Sequence, residues 1–435
     1  MLQVFKRILP KPVKKVLIAV KQKTYDQWQK KRLFKRMQVK HAELLQQLKG
    51  KKKIKVVFLA IHKSVWKVDP VFKKMLEDPF FEPTILICPY TNYGDERMWQ
   101  DMEEAYEYFE EKGYPVLSSY NKEQERWLTL DEIKPDIVFF TNPHGLTRKE
   151  YYEDAYLNYL SCYCGYGMPI SKYSNYQGQF NQYFHNAVWK IFVQTQEMVV
   201  NYEKYSSRNG LNIHLVGDNI VEQLNKKNLV AQSQWKDNSQ RKKIIYAPHH
   251  TIMDNEQLSL GTFIEHSEHF RILASQNKEQ VYWSFKPHPI LKSKLYLHPK
   301  WGKERTDVYY KFWEDSEFSQ LDEGEYLDLF INSDALILDS SSFLGEYLFT
   351  QKPMLYLMKN NVENFMSQFG LLCLKACYQA NLSSDISEFV NRIIQANDPS
   401  VEKRKNVIRI FKENIGREES TSTLIFELIK SEFDN

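Results

Sequence analysis

The chain has 435 residues, a length that predicts two domains or more, each able to bury its own hydrophobic core. Its formal net charge of +4 hides an uneven distribution, because residues 1–53 contain 17 Lys and Arg against two acids, whereas the remainder contains 42 basic and 53 acidic residues. No apolar run approaches the roughly 20 residues of a membrane-spanning helix. The five cysteines are an odd number in a long chain, so we exclude a disulfide scaffold and expect a reducing compartment.

Residues 1–53 form a basic N-terminal arm, which we predict to be helical after Pro12. Apolar and aromatic residues alternate there with lysine and arginine, a pattern typical of an amphipathic helix that lies on an anionic membrane. Basic runs also bind nucleic acid backbones without specificity, and a third possibility is a helix that simply packs on the body of the protein. We favour the membrane surface and expect no nucleic acid partner.

Residues 54–220 predict a first α/β domain, because short apolar strands alternate with helical stretches, as in a doubly wound parallel sheet. The predicted strands are residues 54–61, 84–88, 114–117, 136–140, 159–164, 189–194 and 212–216. In such sheets ligands bind beyond the carboxyl ends of the strands. This rule places His62, Glu96 and His144 at one edge of the first domain.

Residues 240–415 predict a second domain of the same kind, joined to the first through a polar stretch that ends near Lys243. Its predicted strands include residues 243–247, 281–285 and 335–338. The three loops that follow them share one edge of the sheet and carry His249 and His250, then Lys286 and His288, then Asp339 and the serine turn Ser340–Ser342. We expect residues 416–435 to form a helix that crosses back to the first domain.

The serine turn lies where a strand ends and the next helix begins. Free backbone N–H groups and hydroxyls at such a point form an anion site, and three hydroxyls exceed what a helix cap requires. Histidines and a lysine that converge on the same edge suit a diphosphate. We therefore predict that this edge of the second domain binds phosphate.

Other chemistries have less support in the sequence. His249, His250 and His288 could ligate a metal, but adjacent histidines rarely share one ion and no carboxylate pair accompanies them, so we expect no metal site. The sequence contains no Asp-x-Asp, no Walker motif, no Gly-x-Gly-x-x-Gly and no Gly-x-Ser-x-Gly. These absences argue against metal-bridged nucleotide binding, NTPase activity, dinucleotide binding and serine hydrolysis.

Three motifs together resemble the CDP-glycerol glycerophosphotransferases, the polymerases and primases of teichoic acid and capsule. They are Tyr246-Ala247-Pro248, Lys286-Pro287-His288-Pro289, and the run from Asp334 to Ser342 with Lys352-Pro353 after it. The resemblance covers most of residues 155–360. It implies an α/β GT-B fold, in which two Rossmann-like domains face each other across a cleft, here with the basic helical arm added.

The resemblance also implies where the donor lies. Its diphosphate would rest on Ser341 and Ser342 and be contacted by His288. We predict that His288 is also a catalytic residue. The full predicted donor site is His249, His250, Lys286, His288, Asp339, Ser340, Ser341, Ser342 and Glu346.

The chain departs from the family pattern in its first domain. The family usually has a Trp-His-Gly-Thr-Pro element whose histidine is the proposed base, and here Tyr166 occupies the place of that histidine, followed by Gly167. Tyrosine has a pKa of about 10 and is a poor base. We therefore predict His144 as the base, with Glu96 or Asp95 next. Tyr166 remains in the predicted catalytic group, and His62, Glu96 and Gly167 lie on the acceptor side.

The resemblance implies transfer of glycerol phosphate, or a related polyol phosphate, from a CDP-activated donor to a hydroxyl of a lipid-linked cell-surface glycan, with release of CMP. No cofactor is expected, and the protein should be cytoplasmic and peripheral on the inner membrane face. One alternative is a GT-B glycosyltransferase that uses a nucleotide sugar. Another, of a different class, is a non-catalytic scaffold in capsule assembly.

Overall fold

The computed structural model describes residues 11–172, 176–225, 234–253 and 260–434. Strands and helices alternate along most of this length, and the strands form two parallel sheets, as in a pair of Rossmann-like domains. The apolar runs of the sequence supply these strands, because a parallel strand covered by helices on both faces needs apolar residues at nearly every position.

The first sheet is built from β1 to β3 and β6 to β9. Their bounds are β1 Ile54–Ala60, β2 Phe81–Ile87, β3 Val116–Ser118, β6 Ile137–Phe140, β7 Leu160–Cys164, β8 Lys190–Val193 and β9 Ile213–Leu215. The order across the described sheet is β3-β2-β1-β6-β7-β8-β9. A short antiparallel hairpin, β4 Tyr120–Asn121 and β5 Arg126–Trp127, follows β3. Since β1 pairs with both β2 and β6, the winding of the chain reverses between β1 and β6.

The second sheet contains the remaining strands. They are β10 Lys242–Ala247, β11 Val281–Phe285, β12 Ser319–Leu321, β13 Ala335–Leu338, β14 Met354–Leu357 and β15 Tyr378–Ala380. Across the described residues they are ordered β12-β11-β10-β13-β14-β15, all parallel. The reversal of winding here falls between β10 and β13.

Helices cover the faces of both sheets and add an extension at each end of the chain. The α-helices of the described residues are Lys11–Leu48, Asp69–Glu77, Asp95–Glu111, Leu130–Ile133, Glu153–Asn158, Tyr176–Phe180, Tyr183–Ala187, Gln196–Tyr205, Asn219–Asn225, Phe263–Gln276, Leu291–Leu297, Gly302–Asp315, Leu327–Asn332, Ser342–Leu348, Gln368–Ala376, Ser383–Ile394, Val401–Ile415 and Thr421–Lys430. None of them is both long and apolar enough to cross a membrane. All five cysteines are buried as free thiols.

The helix Lys11–Leu48 is the arm predicted from the sequence, and its second half packs on the first domain. Met37 is buried in the core beside the first sheet, and Leu44 and Leu45 pack against a neighbouring cluster. Tyr183 donates hydrogen bonds to Asp26 at 2.9 Å and to Gln29 at 2.7 Å. The possibility of a helix packed on the body is therefore realised for this half of the arm.

The helix Thr421–Lys430 follows the second domain in sequence but lies on the first. Ile425 and Ile429 are fully buried in the core of the first sheet, and the ring of Phe426 packs against Phe81. Lys430 forms a 2.7 Å ion pair with Asp78. This helix joins the two domains by burying apolar surface from the end of the chain in the first domain.

The two domains contact each other closely at residues 168–172. The backbone N–H of Ser367 donates to Ile170 O at 2.7 Å, and the Glu197 carboxylate accepts the N–H groups of Gln368 and Phe369 at 2.9 and 3.0 Å. A Cβ on Gly370 would lie 2.3 Å from Ile170 O. The absence of a side chain at Gly370 therefore allows this close approach of the two backbones.

Replacing Gly370 with alanine is expected to destabilise the protein by roughly 1–3 kcal/mol, the usual cost of overpacking, because the clash is with backbone that cannot move aside. Thermal unfolding measures the effect. Gly324→Ala is the matched control, since no atom lies within 4 Å of a Cβ there. Equal melting temperatures for the two variants would contradict the close approach at Gly370.

Candidate functional site

The three predicted loops of the second domain follow adjacent strands, and two of them flank the reversal of winding. β10 lies between β11 and β13, so the loops 248–251, 286–289 and 339–342 leave the same edge of the sheet side by side. Ligands of open α/β sheets bind in the crevice at such a reversal. The structure thus brings together the loops that the sequence predicted to share an edge.

Three histidines from two of these loops form a compact group, which we call the histidine cluster: His249, His250 and His288. Their ring centroids are 4.2 to 5.2 Å apart. One ring nitrogen of each lies within 4.8 Å of the others, close enough for the three to share an ion. Whether the cluster suits a cation or an anion depends on which nitrogens carry hydrogen.

The contacts of the cluster fix the hydrogen on the same nitrogen of all three rings. Thr251 Oγ1 accepts the N–H groups of Leu260 and Gly261 at 3.0 Å, so its own hydrogen is donated to His249 Nδ1 at 2.9 Å.

The other two rings follow the same rule. Lys294, whose ammonium can only donate, lies 2.9 Å from His250 Nδ1. The N–H of Ile290 donates to His288 Nδ1 at 3.3 Å. Each neutral ring therefore carries its hydrogen on Nε2.

Two of the three rings, those of His249 and His288, are held neutral by their surroundings. Burial, followed by the neighbouring positive groups, lowers the pKa of His288 to about 3 and the pKa of His249 well below its ordinary value. A metal needs a free ring lone pair, whereas an oxyanion needs N–H donors. The cluster offers Nε2–H donors and so suits an anion such as phosphate.

Asp339 holds these loops in place. Its buried carboxylate accepts the N–H of His249 at 2.6 Å, and the N–H and hydroxyl of Thr262 at 2.6 and 2.9 Å. Burial raises the pKa of Asp339 to about 6 in spite of these hydrogen bonds. The sequence placed Asp339 among the donor contacts, and the structure shows its side chain directed at the protein's own backbone.

The hydroxyls of the serine turn are uncommitted. Ser341 precedes the helix Ser342–Leu348 but makes no side-chain cap, and Ser340 Oγ is buried with no hydrogen-bond partner. Among the described residues, none of the three serine hydroxyls has a recorded partner. A cap therefore does not explain the three serines. The helix has only seven residues, so the hydroxyls and the adjacent histidine cluster, more than the helix dipole, are the groups here from which an anion could accept hydrogen bonds.

The two remaining predicted donor residues are engaged within the protein. The Lys286 ammonium donates to Gly324 O at 2.7 Å, and burial lowers its pKa to about 8. Glu346 is buried on the helix that follows the serine turn and accepts a hydrogen bond from Tyr326 OH. Lys67, from the first domain, lies 4.3 Å from the ring centroid of Tyr326. Glu346 thus lies where the two domains meet.

The first domain presents its predicted residues at its own reversal of winding. His62 follows β1 and His144 follows β6, and these two strands pair. His62 is 3.6 Å from Asp101, whereas the ring of His144 makes no hydrogen bond or ion pair within the described residues, and desolvation alone lowers its pKa. Glu96 is exposed in the first turn of the helix Asp95–Glu111.

Tyr166 and Gly167 belong to the segment that docks on the second domain. The Tyr166 side chain is 41% exposed, and Met168 is buried. A Cβ on Gly345 would lie 2.7 Å from Met168 Cγ and 2.6 Å from Ile170 Cδ1. Since Gly345 lies in the helix that the serine turn begins, the acceptor-side segment contacts the donor-side helix directly.

Several residues of the site were not predicted. They are Thr251, Lys294, Asp101 and Lys67, and the last three act through contacts that join distant parts of the chain. Lys294 lies on a helix with no motif of its own, so the sequence carried no signal for it. Thr251, two residues after His249, could have been recognised as a candidate hydrogen-bond partner for that histidine.

Glu346 gives the site a testable dependence on pH. Burial raises its pKa from 4.5 to about 7, although Lys67 and Tyr326 act in the opposite direction. Its protonated form therefore stabilises the fold fully below about pH 4.5, and this contribution is lost as the pH rises through about 7.

Glu346→Gln, which keeps an acceptor for Tyr326, is expected to melt close to the wild type at pH 5 and above it at pH 8. Differential scanning calorimetry across this range measures the difference. A difference that stays constant with pH would show that Glu346 is ionised in the folded protein.

Comparison with known proteins supports the resemblance seen in the sequence. Residues 216–417 match the family model of the CDP-glycerol:poly(glycerophosphate) glycerophosphotransferases. This stretch contains the second sheet, the histidine cluster and the serine turn. No curated protein matches the sequence of the chain.

Solved structures show the fold. A UDP-N-acetylglucosamine 2-epimerase from Listeria monocytogenes is 14% identical, with a TM-score of 0.55 over 88% of this chain and 97% of that one. A variant of the wall teichoic acid polymerase TagF is 12% identical, with a TM-score of 0.53 over 88% and 89%. The same variant soaked with CDPG gives a TM-score of 0.52 at 12% identity, over 94% and 98%. These likenesses show the GT-B fold, and residues 216–417 are similar to the CDP-glycerol:poly(glycerophosphate) glycerophosphotransferases.

Proposed function

We propose that the protein transfers glycerol phosphate, or a closely related polyol phosphate, from a CDP-activated donor to a hydroxyl of a lipid-linked cell-surface glycan and releases CMP. The donor would lie on residues 240–415 and the acceptor on residues 54–220. The observation that carries this proposal is the histidine cluster beside three uncommitted serine hydroxyls, at the sheet edge of the domain that matches the family.

The proposed chemistry follows from the hydrogen-bond donors of the site. The diphosphate accepts hydrogen bonds from the Nε2–H groups of the cluster and from the hydroxyls of Ser341 and Ser342. The acceptor oxygen attacks the phosphorus of the glycerol phosphate in line, and the bond to the CMP phosphate breaks. Donors held in place by the fold stabilise the charge that develops on CMP without reorganising, which is the main way such sites accelerate phosphoryl transfer.

Incubation of the protein with CDP-glycerol and an acceptor, followed by phosphorus NMR, tests the reaction. We expect CMP and a phosphodiester product. Release of UDP or CDP from a nucleotide sugar would instead support a glycosyltransferase. A protein that neither binds nor turns over any of these nucleotides would support the scaffold alternative.

His288→Asn is expected to raise the KM for the donor about 10- to 100-fold, because a hydrogen bond to a charged group contributes about 1.5–3 kcal/mol. His298→Asn is the control, since His298 Nδ1 also accepts the N–H of the residue two positions on, but at the end of a helix outside the cluster. An equal effect of the two substitutions would contradict a role of His288 in donor binding.

We further propose that the arm helix binds an anionic membrane. On the face that does not pack against the body, Tyr25 and Trp28 are 57% and 53% exposed and their rings stack. Arg32 lies 5.6 Å from the Trp28 ring, and Lys35 is exposed one turn further on. A face of exposed aromatic rings and cations suits the headgroup region of an anionic bilayer.

Reversing the charges of this face, with Arg32→Glu and Lys35→Glu together, is expected to lower binding to vesicles that contain phosphatidylserine and to leave turnover of a soluble acceptor intact. The control reverses two exposed lysines elsewhere, Lys122 and Lys311, whose side chains are 84% and 75% exposed. Vesicle flotation measures both. An equal loss in both variants would point to net charge alone, and no loss in either would contradict the proposal.

A further inference from the structure

The loop that follows β1 contains His62, whose ring has Ser64 on one side and Asp101 on the other. The N–H of Ser64 donates to His62 Nδ1 at 3.1 Å, and the Ser64 hydroxyl lies 2.8 Å from the same nitrogen. Because a backbone N–H can only donate, Nδ1 carries the lone pair and the hydrogen is on Nε2. On that side Asp101 Oδ1 lies 3.6 Å away.

Asp101 is well placed to stabilise a positive charge on this ring. Its side chain is 3% exposed, on the helix Asp95–Glu111, and it also accepts a 2.8 Å hydrogen bond from Arg97 Nε. A carboxylate behind one nitrogen of an imidazole holds the tautomer and stabilises the imidazolium when the other nitrogen takes up a proton. The opposite nitrogen faces Ser64, which is exposed.

The same loop reaches the donor side. Five residues after His62, Lys67 lies over the ring of Tyr326, which donates to Glu346 on the helix that begins at the serine turn. Lys67 therefore anchors the loop of His62 against the donor helix. Among the described residues, His144 itself has no hydrogen bond, ion pair or ring contact with the second domain.

We propose that His62, oriented by Asp101, takes the proton of the attacking hydroxyl, in place of His144. This rests on the proposed function. As the acceptor oxygen bonds to the phosphorus, the bond to CMP breaks and CMP keeps the electron pair. The hydroxyl proton passes to His62 Nδ1 after the acceptor has displaced both the Ser64 hydroxyl and the Ser64 N–H from its lone pair. Asp101 balances the imidazolium until the proton is returned to solvent.

The groups that face His62 set the direction of its titration. Burial lowers the pKa of His62; Asp101 and Glu104 raise it, and Arg97 and Lys63 lower it. His62 is therefore neutral at pH 7, the form that a base requires, and kcat should fall on the acid side as the ring becomes protonated. Removing the charge of Asp101 should lower the pKa further.

The test is the pH profile of kcat for CMP release by the full chain with CDP-glycerol and acceptor. His62→Asn keeps an acceptor for the Ser64 N–H, so the local turn is retained. It should lower kcat by about 100-fold or more and abolish the acid limb. Asp101→Asn should shift the acid limb to lower pH, which a merely structural role would not do.

His269→Asn is the control, because His269 also contacts a serine hydroxyl, at 3.0 Å, on a helix outside the site. It should leave kcat and the profile unchanged. A wild-type kcat and acid limb in His62→Asn would overturn the assignment, as would a far larger loss in His144→Asn. If the wild-type protein releases no CMP, the proposed function itself fails. If the wild type is active but His62→Asn behaves like it, only the assignment of His62 fails.

Discussion

The buried carboxylate of Asp339 fixes the geometry of the donor side. Asp339 follows directly after β13, and its carboxylate accepts hydrogen bonds from the backbone N–H groups of His249 and Thr262. One side chain therefore joins the serine turn to the loop after β10 and to the start of the helix Phe263–Gln276. The cost of burying it is visible in its raised pKa, about 6. In return, the two loops keep a fixed spacing, which holds the histidine cluster beside the serine turn.

The apposition of the domains depends on small residues. Gly345 and Gly370 leave room for the segment Met168–Ile170, which carries the acceptor-side turn onto the donor helix. The last helix, Thr421–Lys430, returns to the first domain and buries Ile425 and Ile429 there. The two domains are thus held together by contacts at two separate places.

The sequence predicted the long apolar strands well, since runs such as those of β1 and β11 have one plausible structure in an alternating α/β chain. It missed β12 and β15, because three-residue strands with polar positions give no periodicity to detect. At the site, strand-end loops could be predicted from the rule that ligands bind at the carboxyl edge. The direction of the Asp339 side chain and the contacts of Lys286 could not be predicted, because they depend on backbone atoms that only the fold brings close. The pairing of His62 with Asp101 likewise joins residues 39 positions apart in sequence, through packing of a helix on the sheet edge.

We infer that neutral histidines and serine hydroxyls of the second domain bind the donor diphosphate as hydrogen-bond donors, without a bridging metal. Calorimetric titration of the full chain with CDP-glycerol, in the presence of EDTA and again with added Zn²⁺ or Mg²⁺, tests this most directly. Binding through hydrogen-bond donors alone predicts the same dissociation constant under all these conditions. Binding that disappears with EDTA and returns with a metal would contradict it.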